Sequence, residues 1–227
     1  MFNSTRLTIM KKSIFAVMML LSLTSMAKER FGIIAGAAFN SLSFNIENYT
    51  SKTKAGFCVG VTLESMIGTK GIGFDISAMY SNRSIDIALE RESIRGTLYS
   101  EGTKSFLEIP INFRYKFSIP SVNRIVRPFV FTGPGFHIML NNKPYVDTFY
   151  INEDGSRSYI TSNHVPQFNG AWNFDWNVGV GVELFEHAQI SFRYCRDLSK
   201  SIHTYGLGGI QEKMSFNTIY IQAAWLF

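Results

Sequence analysis

Eight segments of the chain alternate apolar and polar side chains with a period of two, the spacing of a β-strand with one face in an apolar medium. The first carries Phe31, Ile33, Ala35, Ala37 and Phe39 on one face. The second sets Phe57, Val59, Val61 and Leu63 against Cys58, Gly60, Thr62 and Glu64, and the third sets Ile72, Phe74, Ile76, Ala78 and Tyr80 against Asp75 and Ser77. In the fourth, Leu107, Ile109, Ile111, Phe113, Tyr115 and Phe117 alternate with Glu108, Asn112, Arg114 and Lys116. The fifth, Arg127 to Leu140, is less regular; its Gly133-Pro134-Gly135 centre predicts a bulge or a change of register, because proline cannot donate to the ladder. The sixth is the clearest: Trp172, Phe174, Trp176, Val178, Val180, Val182 and Leu184 oppose Asn173, Asp175, Asn177, Gly179, Gly181 and Glu183. The seventh pairs Ala188, Ile190, Phe192 and Tyr194 with Gln189, Ser191 and Arg193, and the eighth runs through Ile219, Ile221, Ala223 and Trp225 to Phe227.

The connections alternate as well. They are short after the second, fourth and sixth strands (Ile67 to Lys70, Ser118 to Val126, Phe185 to His187). They are longer and more polar around 40–53, 82–104, 141–171 and 197–213. An even number of antiparallel strands, short turns at one end and long loops at the other are the design of a transmembrane barrel. The expected fold is therefore all-β: an eight-stranded antiparallel up-and-down barrel in a membrane, both termini periplasmic and the long loops outside. A secreted lipocalin-like barrel or sandwich shares the period but buries the apolar face. Two features favour the membrane. Tyr115, Phe117, Trp225 and Phe227 fall near one rim, and Tyr80, Trp172 and Tyr194 near the other, as two interfacial aromatic girdles do. The opposite faces carry Glu64, Asp75, Glu108, Arg114, Asp175, Glu183 and Arg193, which an apolar core would desolvate at heavy cost and a barrel lumen can pair.

The beginning of the chain points to export. Lys11 and Lys12 precede the apolar run Ile14 to Leu23, and Ser25-Met26-Ala27 has the small-x-small pattern of a cleavage site. The run is too short to span a bilayer as a helix, which takes about 20 residues, so residues 1–27 are expected to be a cleaved signal peptide and 28–227 the barrel domain. Met10 is an alternative start. Arg6, Lys11 and Lys12 leave with that leader and no acid does, so the formal charge of +5 falls to about +2. No basic cluster then remains to suggest nucleic acid. Cys58 and Cys195 fall on inward positions of strands that are not neighbours, so two free thiols are expected rather than a bridge.

The aromatic end, with Trp225 and Phe227, resembles the closing strand of bacterial outer-membrane barrels. In those proteins this segment serves as an insertion signal for the barrel-insertion machinery. Phe106-Leu107-Glu108-Ile109-Pro110-Ile111, followed by Arg114-Tyr115-Lys116-Phe117, is similar to the "LEIP…KY" strand of the PorT-like outer-membrane β-barrel proteins of Bacteroidetes. Arg127-Pro128-Phe129-Val130-Phe131, Asn177-Val178-Gly179-Val180-Gly181-Val182-Glu183 and Phe192-Arg193-Tyr194 resemble its later strands. At Cys195-Arg196-Asp197-Leu198 the chain departs from that pattern. The resemblance implies a Gram-negative outer-membrane location, contact with outer-membrane lipid, and for the namesake an envelope or secretion complex. It assigns no activity.

Candidate chemistry is sparse. His137, His164, His187 and His203 have no zinc-helix spacing, no Cys-x-x-Cys occurs, and no His has Ser two positions on. The expectation is no catalysis, no metal and no cofactor, with the histidines solvated. Gly206-Leu207-Gly208-Gly209 reads as a loop tip. The inward charges suggest a packed polar plug, or else a narrow proton or solute path of porin-like character. The third outer loop, with Tyr145, Tyr150, Asn152, Asp154, Arg157, Tyr159 and His164, suits either binding or a plain hairpin above the membrane. A structural, loop-presenting role is the expected function, followed by a small-solute channel and then a lipid-modifying enzyme.

Overall fold

The computed structural model describes residues 27–43, 49–68, 71–91, 96–120, 122, 124–140, 147–152, 154–159, 167–168, 172–199, 202–205 and 211–227. The leader residues up to 26, and Tyr145, His164 and the Gly206 to Gly209 run, lie outside them. Eight long strands form the barrel: β1 (Ala27–Ser43), β2 (Lys54–Ile67), β3 (Ile72–Arg91), β4 (Gly96–Lys116), β5 (Val126–Met139), β6 (Trp172–Leu184), β7 (Ala188–Asp197) and β8 (Gln211–Leu226). Each pairs antiparallel with its neighbours in sequence, and β8 returns to β1 with Gly32 opposite Leu226 and Ser43 opposite Ser215. The sheet is closed, so no edge is left unpaired along the wall.

The period-two pattern sorts the side chains. Ile33, Val59, Val61, Phe113, Val178, Val180, Ile190 and Ile221 face outward and are exposed, with Phe113 at 71%. Their chain neighbours point into the lumen and are buried or half-buried. The aromatic girdle residues Tyr80, Tyr115, Phe117, Trp172, Trp225 and Phe227 are exposed on the outer surface. Tyr194 is half-buried there, its hydroxyl donating to Asn217 Oδ1 at 3.1 Å.

Three expectations change. The stretch 82–104, read as a loop, is largely strand: β3 runs on to Arg91 and β4 starts at Gly96, paired from Asn82–Ser105 to Arg91–Gly96. Short strands extend this hairpin sideways, Tyr49–Ser51 on β3 and Asp147–Ile151 on β4, the latter pairing in turn with Arg157–Tyr159. Beyond Tyr80 the apolar residues change parity, Ile85, Ile87 and Leu89 following the even-numbered series Ile72 to Tyr80, so the alternation that marks the lipid-facing side of a spanning strand breaks off there. The second change concerns Gly133-Pro134-Gly135, which forms no bulge. β5 keeps one register with β6 from Trp172–Ile138 to Leu184–Val126, and one register with β4 on both sides of the proline. The missing Pro134 donor interrupts the ladder to β4 without inserting a residue. Backbone proximity explains the flanking glycine: a Cβ on Gly133 would lie 2.0 Å from the Ile111 carbonyl oxygen. The third change is that the lumen is not polar throughout, since Phe106, Phe129, Phe131 and Phe216 are buried inside it.

The β6–β7 turn is strained. Phe185 and Glu186 both adopt left-handed φ values, 54° and 63°, a conformation that suits a two-residue hairpin but disfavours residues with a Cβ. It is held from outside the hairpin: the Phe185 N–H donates to the Ile125 carbonyl at 2.9 Å, and Arg30 Nη1 donates to the Glu186 carbonyl.

Candidate functional site

The candidate site is the lumen, where the seven expected polar residues are brought together in two layers. The periplasmic layer is built on alternate positions of β1, β2, β3, β4, β6 and β7. Arg114 on β4 donates through Nη1 to Glu64 Oε2 at 2.7 Å and through Nε to Asp75 Oδ2 at 3.0 Å. Lys116, two residues on, donates to Glu64 Oε1 at 2.7 Å and also to Glu183. Arg30 pairs with both of these glutamates. Gln189 bridges them as well, its Nε2 lying 3.0 Å from Glu64 and 2.9 Å from Glu183. Arg30, Arg114 and Lys116 thus face Glu64, Asp75 and Glu183, an electroneutral set, with the more exposed Arg127 at its margin, 3.8 Å from Glu183.

The outer layer centres on Glu108, which is fully buried. It accepts from Arg83 at 3.0 Å, Arg193 at 3.2 Å, the Tyr220 hydroxyl at 2.6 Å and the Ser81 hydroxyl at 2.5 Å. The Arg193 guanidinium carbon sits over the Tyr220 ring, 4.0 Å from its centroid. His137 bonds Asp175 through Nε2 and takes Arg83 Nη2 on Nδ1 at 2.9 Å. A guanidinium only donates, so in this arrangement Nδ1 accepts and Nε2 carries the proton toward Asp175. Two carboxylates again meet two guanidiniums.

Between the layers lies a cavity of about 20 Å³ whose lining includes Thr62, Met79, Asn112, Phe131, Arg193 and Gln222. It has room for about one water, and its polar lining suits one. Asn112 Oδ1 and Arg193 Nε, both buried and both without a hydrogen-bond partner among the described residues, belong to that lining.

Phenyl rings pack in the lumen beside the arginines. Arg114 sits 4.3 Å from the Phe129 centroid. Gly179 is opposite Arg193 in register, as its small size suggests, but the space over it is taken by phenyl rings. A Cβ on Gly179 would meet Phe131 at 2.2 Å, and one on Gly181 would meet Phe129 at 2.4 Å. Cys58 and Cys195 are free, buried thiols packed with Ala38, Met79 and Tyr220.

Several lumen residues escape a reading of the pattern. Arg83 falls in a stretch that looks like a loop, and His137 in the strand of least regular alternation; far from being solvated, it is 4% exposed. Arg30 precedes the first clear apolar position, and Tyr220 is an aromatic on the polar face. Parity counted from β8 identifies Tyr220, and parity from Phe131 identifies His137. Of the other histidines, His187 lies on the periplasmic turn, its Nδ1 donating to the Leu226 carbonyl at 2.7 Å. Outside the membrane, the Asp147–Tyr159 hairpin is tied at its tip, where the Ser156 N–H and hydroxyl donate to Asp154 and hold its carboxyl below the usual range. Among the described residues no group of three or more His, Cys, Asp or Glu is arranged to hold a metal.

The family described as "Outer membrane protein beta-barrel domain" matches residues 25–203 of the chain. A search of curated proteins finds no match. Among solved structures, the chain is similar to OprG from Pseudomonas aeruginosa (13% identity, 88% of this chain and 97% of that one, TM-score 0.48). It is also similar to Ail, the attachment invasion locus protein of Yersinia pestis (12% identity, 88% and 99%, TM-score 0.41). The outer membrane enzyme PagL aligns as well (12% identity, 83% and 97%, TM-score 0.39).

Proposed function

Because the chain belongs to the outer membrane protein β-barrel family, we propose that it is a plugged outer-membrane anchor that presents its external hairpins to a partner in the cell envelope. One observation carries this reading: the lumen is filled by two charge-balanced layers of paired side chains, interleaved with phenyl rings. Eight strands enclose only enough space for side chains to pack, and here that space is used for packing. A fixed plug stiffens the wall on which β3 and β4 rise beyond the membrane. The hairpin they form, with the Asp147–Ile151 and Arg157–Tyr159 strands beside it, offers Tyr150, Arg157 and Tyr159 from a rigid base.

A second reading, a narrow proton or solute path, draws on the water-sized cavity between the layers. It requires that cavity to join a continuous file of water through both ion-paired layers. The third, a lipid-modifying enzyme, needs a nucleophile and base at one rim; His137 is instead enclosed by Asp175 and Arg83.

Four finer points belong with this proposal. The Leu107-Glu108-Ile109-Pro110 strand and its successors support reading the chain as a PorT-like protein of Bacteroidetes. Cleavage after Ala27 would release β1 short of only its first residue. Trp225 and Phe227 act as the insertion signal. The partner is an envelope or secretion complex, and no nucleic acid, metal or cofactor is involved.

The test is a cross-linked pull-down from intact cells. Wild-type protein should retain a stoichiometric partner, and replacing residues 147–159 by a short Gly-Ser turn should lose it while the barrel still inserts. A partner kept by that variant, or none recovered with the wild type, would contradict the proposal.

A further inference from the structure

Arg196 stands on the wrong face of the barrel for a charge. Along β6, β7 and the described side chains of β8, the outward positions are Trp, Phe, Val, Leu, Ala, Ile, Tyr, Ser and Asn, with Arg196 the single ionisable exception before the lipid-facing surface ends. It is exposed, and it makes no ion pair or hydrogen bond through its side chain among the described residues. Its cross-strand partners offer it little. Trp176 on one side spends its indole N–H on Thr132 Oγ1 at 3.0 Å. Asn217 on the other side accepts the Tyr194 hydroxyl on Oδ1 at 3.1 Å. The guanidinium therefore has donors and, among the described residues, no acceptor.

Depth decides what it meets. Ala188 pairs with Trp225 of the periplasmic girdle, and Arg196 lies eight residues further along the same strand. At about 3.3 Å per residue and a tilt of roughly 40°, its Cα stands about 20 Å above that girdle, just short of the outer edge of an apolar band about 25 Å tall. A side chain of that length reaches the headgroup layer from there. Beneath it, around the half-buried Tyr194, Phe192, Val178, Ile219 and Ile221 form an exposed apolar track on three adjacent strands. A cation at headgroup height above an apolar track is complementary to one class of molecule: an acyl lipid with an anionic headgroup.

We propose that Arg196 and this track form a binding site for a phosphorylated lipid of the outer leaflet, the guanidinium taking the phosphate in a forked hydrogen bond and the acyl chains lying over Phe192, Val178 and Ile219. Guanidinium geometry matches phosphate oxygens two at a time, which a lysine ammonium cannot do. The site rests on the barrel's membrane orientation and adds to it a specific ligand class. It also lies in the Cys195-Arg196-Asp197-Leu198 stretch, where the chain parts from the PorT-like pattern, so it is a feature of this chain.

The test uses the full-length protein purified in detergent and native mass spectrometry. The probes are bis-phosphorylated lipid A, the same glycolipid with both phosphates removed, and inorganic phosphate as competitor. Arg196→Ala should weaken retention of the phosphorylated glycolipid by about tenfold, the size of one charge-assisted hydrogen bond pair. It should leave the dephosphorylated form unchanged, and Arg196→Lys should recover only part of the loss. Arg124→Ala, an exposed cation on the periplasmic turn, should bind like wild type. Equal retention by wild type and Arg196→Ala, equal binding of the two glycolipids, or full displacement by inorganic phosphate would each overturn the site. Insertion into vesicles, followed by the gel shift between boiled and unboiled protein, separates the two failures. Loss of insertion in the wild type sinks the membrane orientation itself, whereas normal insertion without lipid discrimination sinks only this site.

Discussion

Replacing Glu108 by alanine distinguishes a packed plug from a watery channel. Glu108 is fully buried and is the shared acceptor of Arg83, Arg193, Tyr220 and Ser81. When it is removed, Arg83 still has Asp175 at 3.8 Å and the His137 ring. Arg193 has no other carboxylate within ion-pair distance among the described residues, and is left with the Tyr220 face. Breaking a buried pair from one side costs about 3–5 kcal/mol, because the remaining charge stays desolvated. Glu108→Ala should therefore lower unfolding stability by about 4 kcal/mol. Glu108→Gln, which keeps the volume and a carbonyl acceptor, should cost about 2 kcal/mol. Were the lumen full of water, the same arginines would be hydrated and the loss would stay within about 1 kcal/mol, as for an exposed pair. Equilibrium urea unfolding in phospholipid vesicles measures the difference, with the lipid-facing Trp172, Trp176 and Trp225 as the fluorescent reporters. A Glu108→Ala variant within about 1 kcal/mol of wild type would refute the plug.

Three further outcomes are expected. Gly179→Ala drives a Cβ to 2.2 Å from the Phe131 ring and 2.6 Å from the Phe192 carbonyl oxygen; in the same unfolding assay it should cost about 1–3 kcal/mol, and Phe131→Leu in the same chain should restore only the part due to the ring. Val178→Arg, outward and 51% exposed, should cost about 2–4 kcal/mol if it meets hydrocarbon near the midplane, whereas unchanged stability would mean that this face is wet. Deleting Phe227, whose N–H donates to the Phe31 carbonyl at 2.7 Å, should reduce the fraction of unboiled protein running as the compact form on a denaturing gel, without reducing export.

The wall of the barrel is legible in the sequence because each spanning strand touches two media. Val178 against Asn177, or Ile109 against Glu108, states a face without reference to any other strand. Legibility fails where that contrast fails. From Asn82 to Arg91 the even positions of β3 turn from apolar residues to Asn82, Ser84, Asp86, Ala88 and Glu90, and the apolar Ile85, Ile87 and Leu89 take the other parity. The lipid-facing series therefore stops at Tyr80, the strand reads as a loop and Arg83 is lost with it. The fifth strand fails for the opposite reason. Phe129 and Phe131 turn large apolar rings inward over Gly179 and Gly181, which hides the parity that would have placed His137 in the lumen. Pairing partners are a different matter. Glu64, Asp75, Glu108, Arg114, Asp175, Glu183 and Arg193 can each be assigned to the inner face from local pattern, but which cation meets which carboxylate depends on the stagger between distant strands. That stagger brings Arg30 of the first strand to Glu183 of the sixth, a contact that no local spacing encodes.

Planar-bilayer recording tests the sealed lumen most directly. Wild-type protein, shown to be inserted by its gel shift, should leave the membrane without stepwise current at molar potassium chloride. Discrete, reproducible conductance steps from that same inserted protein would mean that ions pass where the side chains are said to close the way.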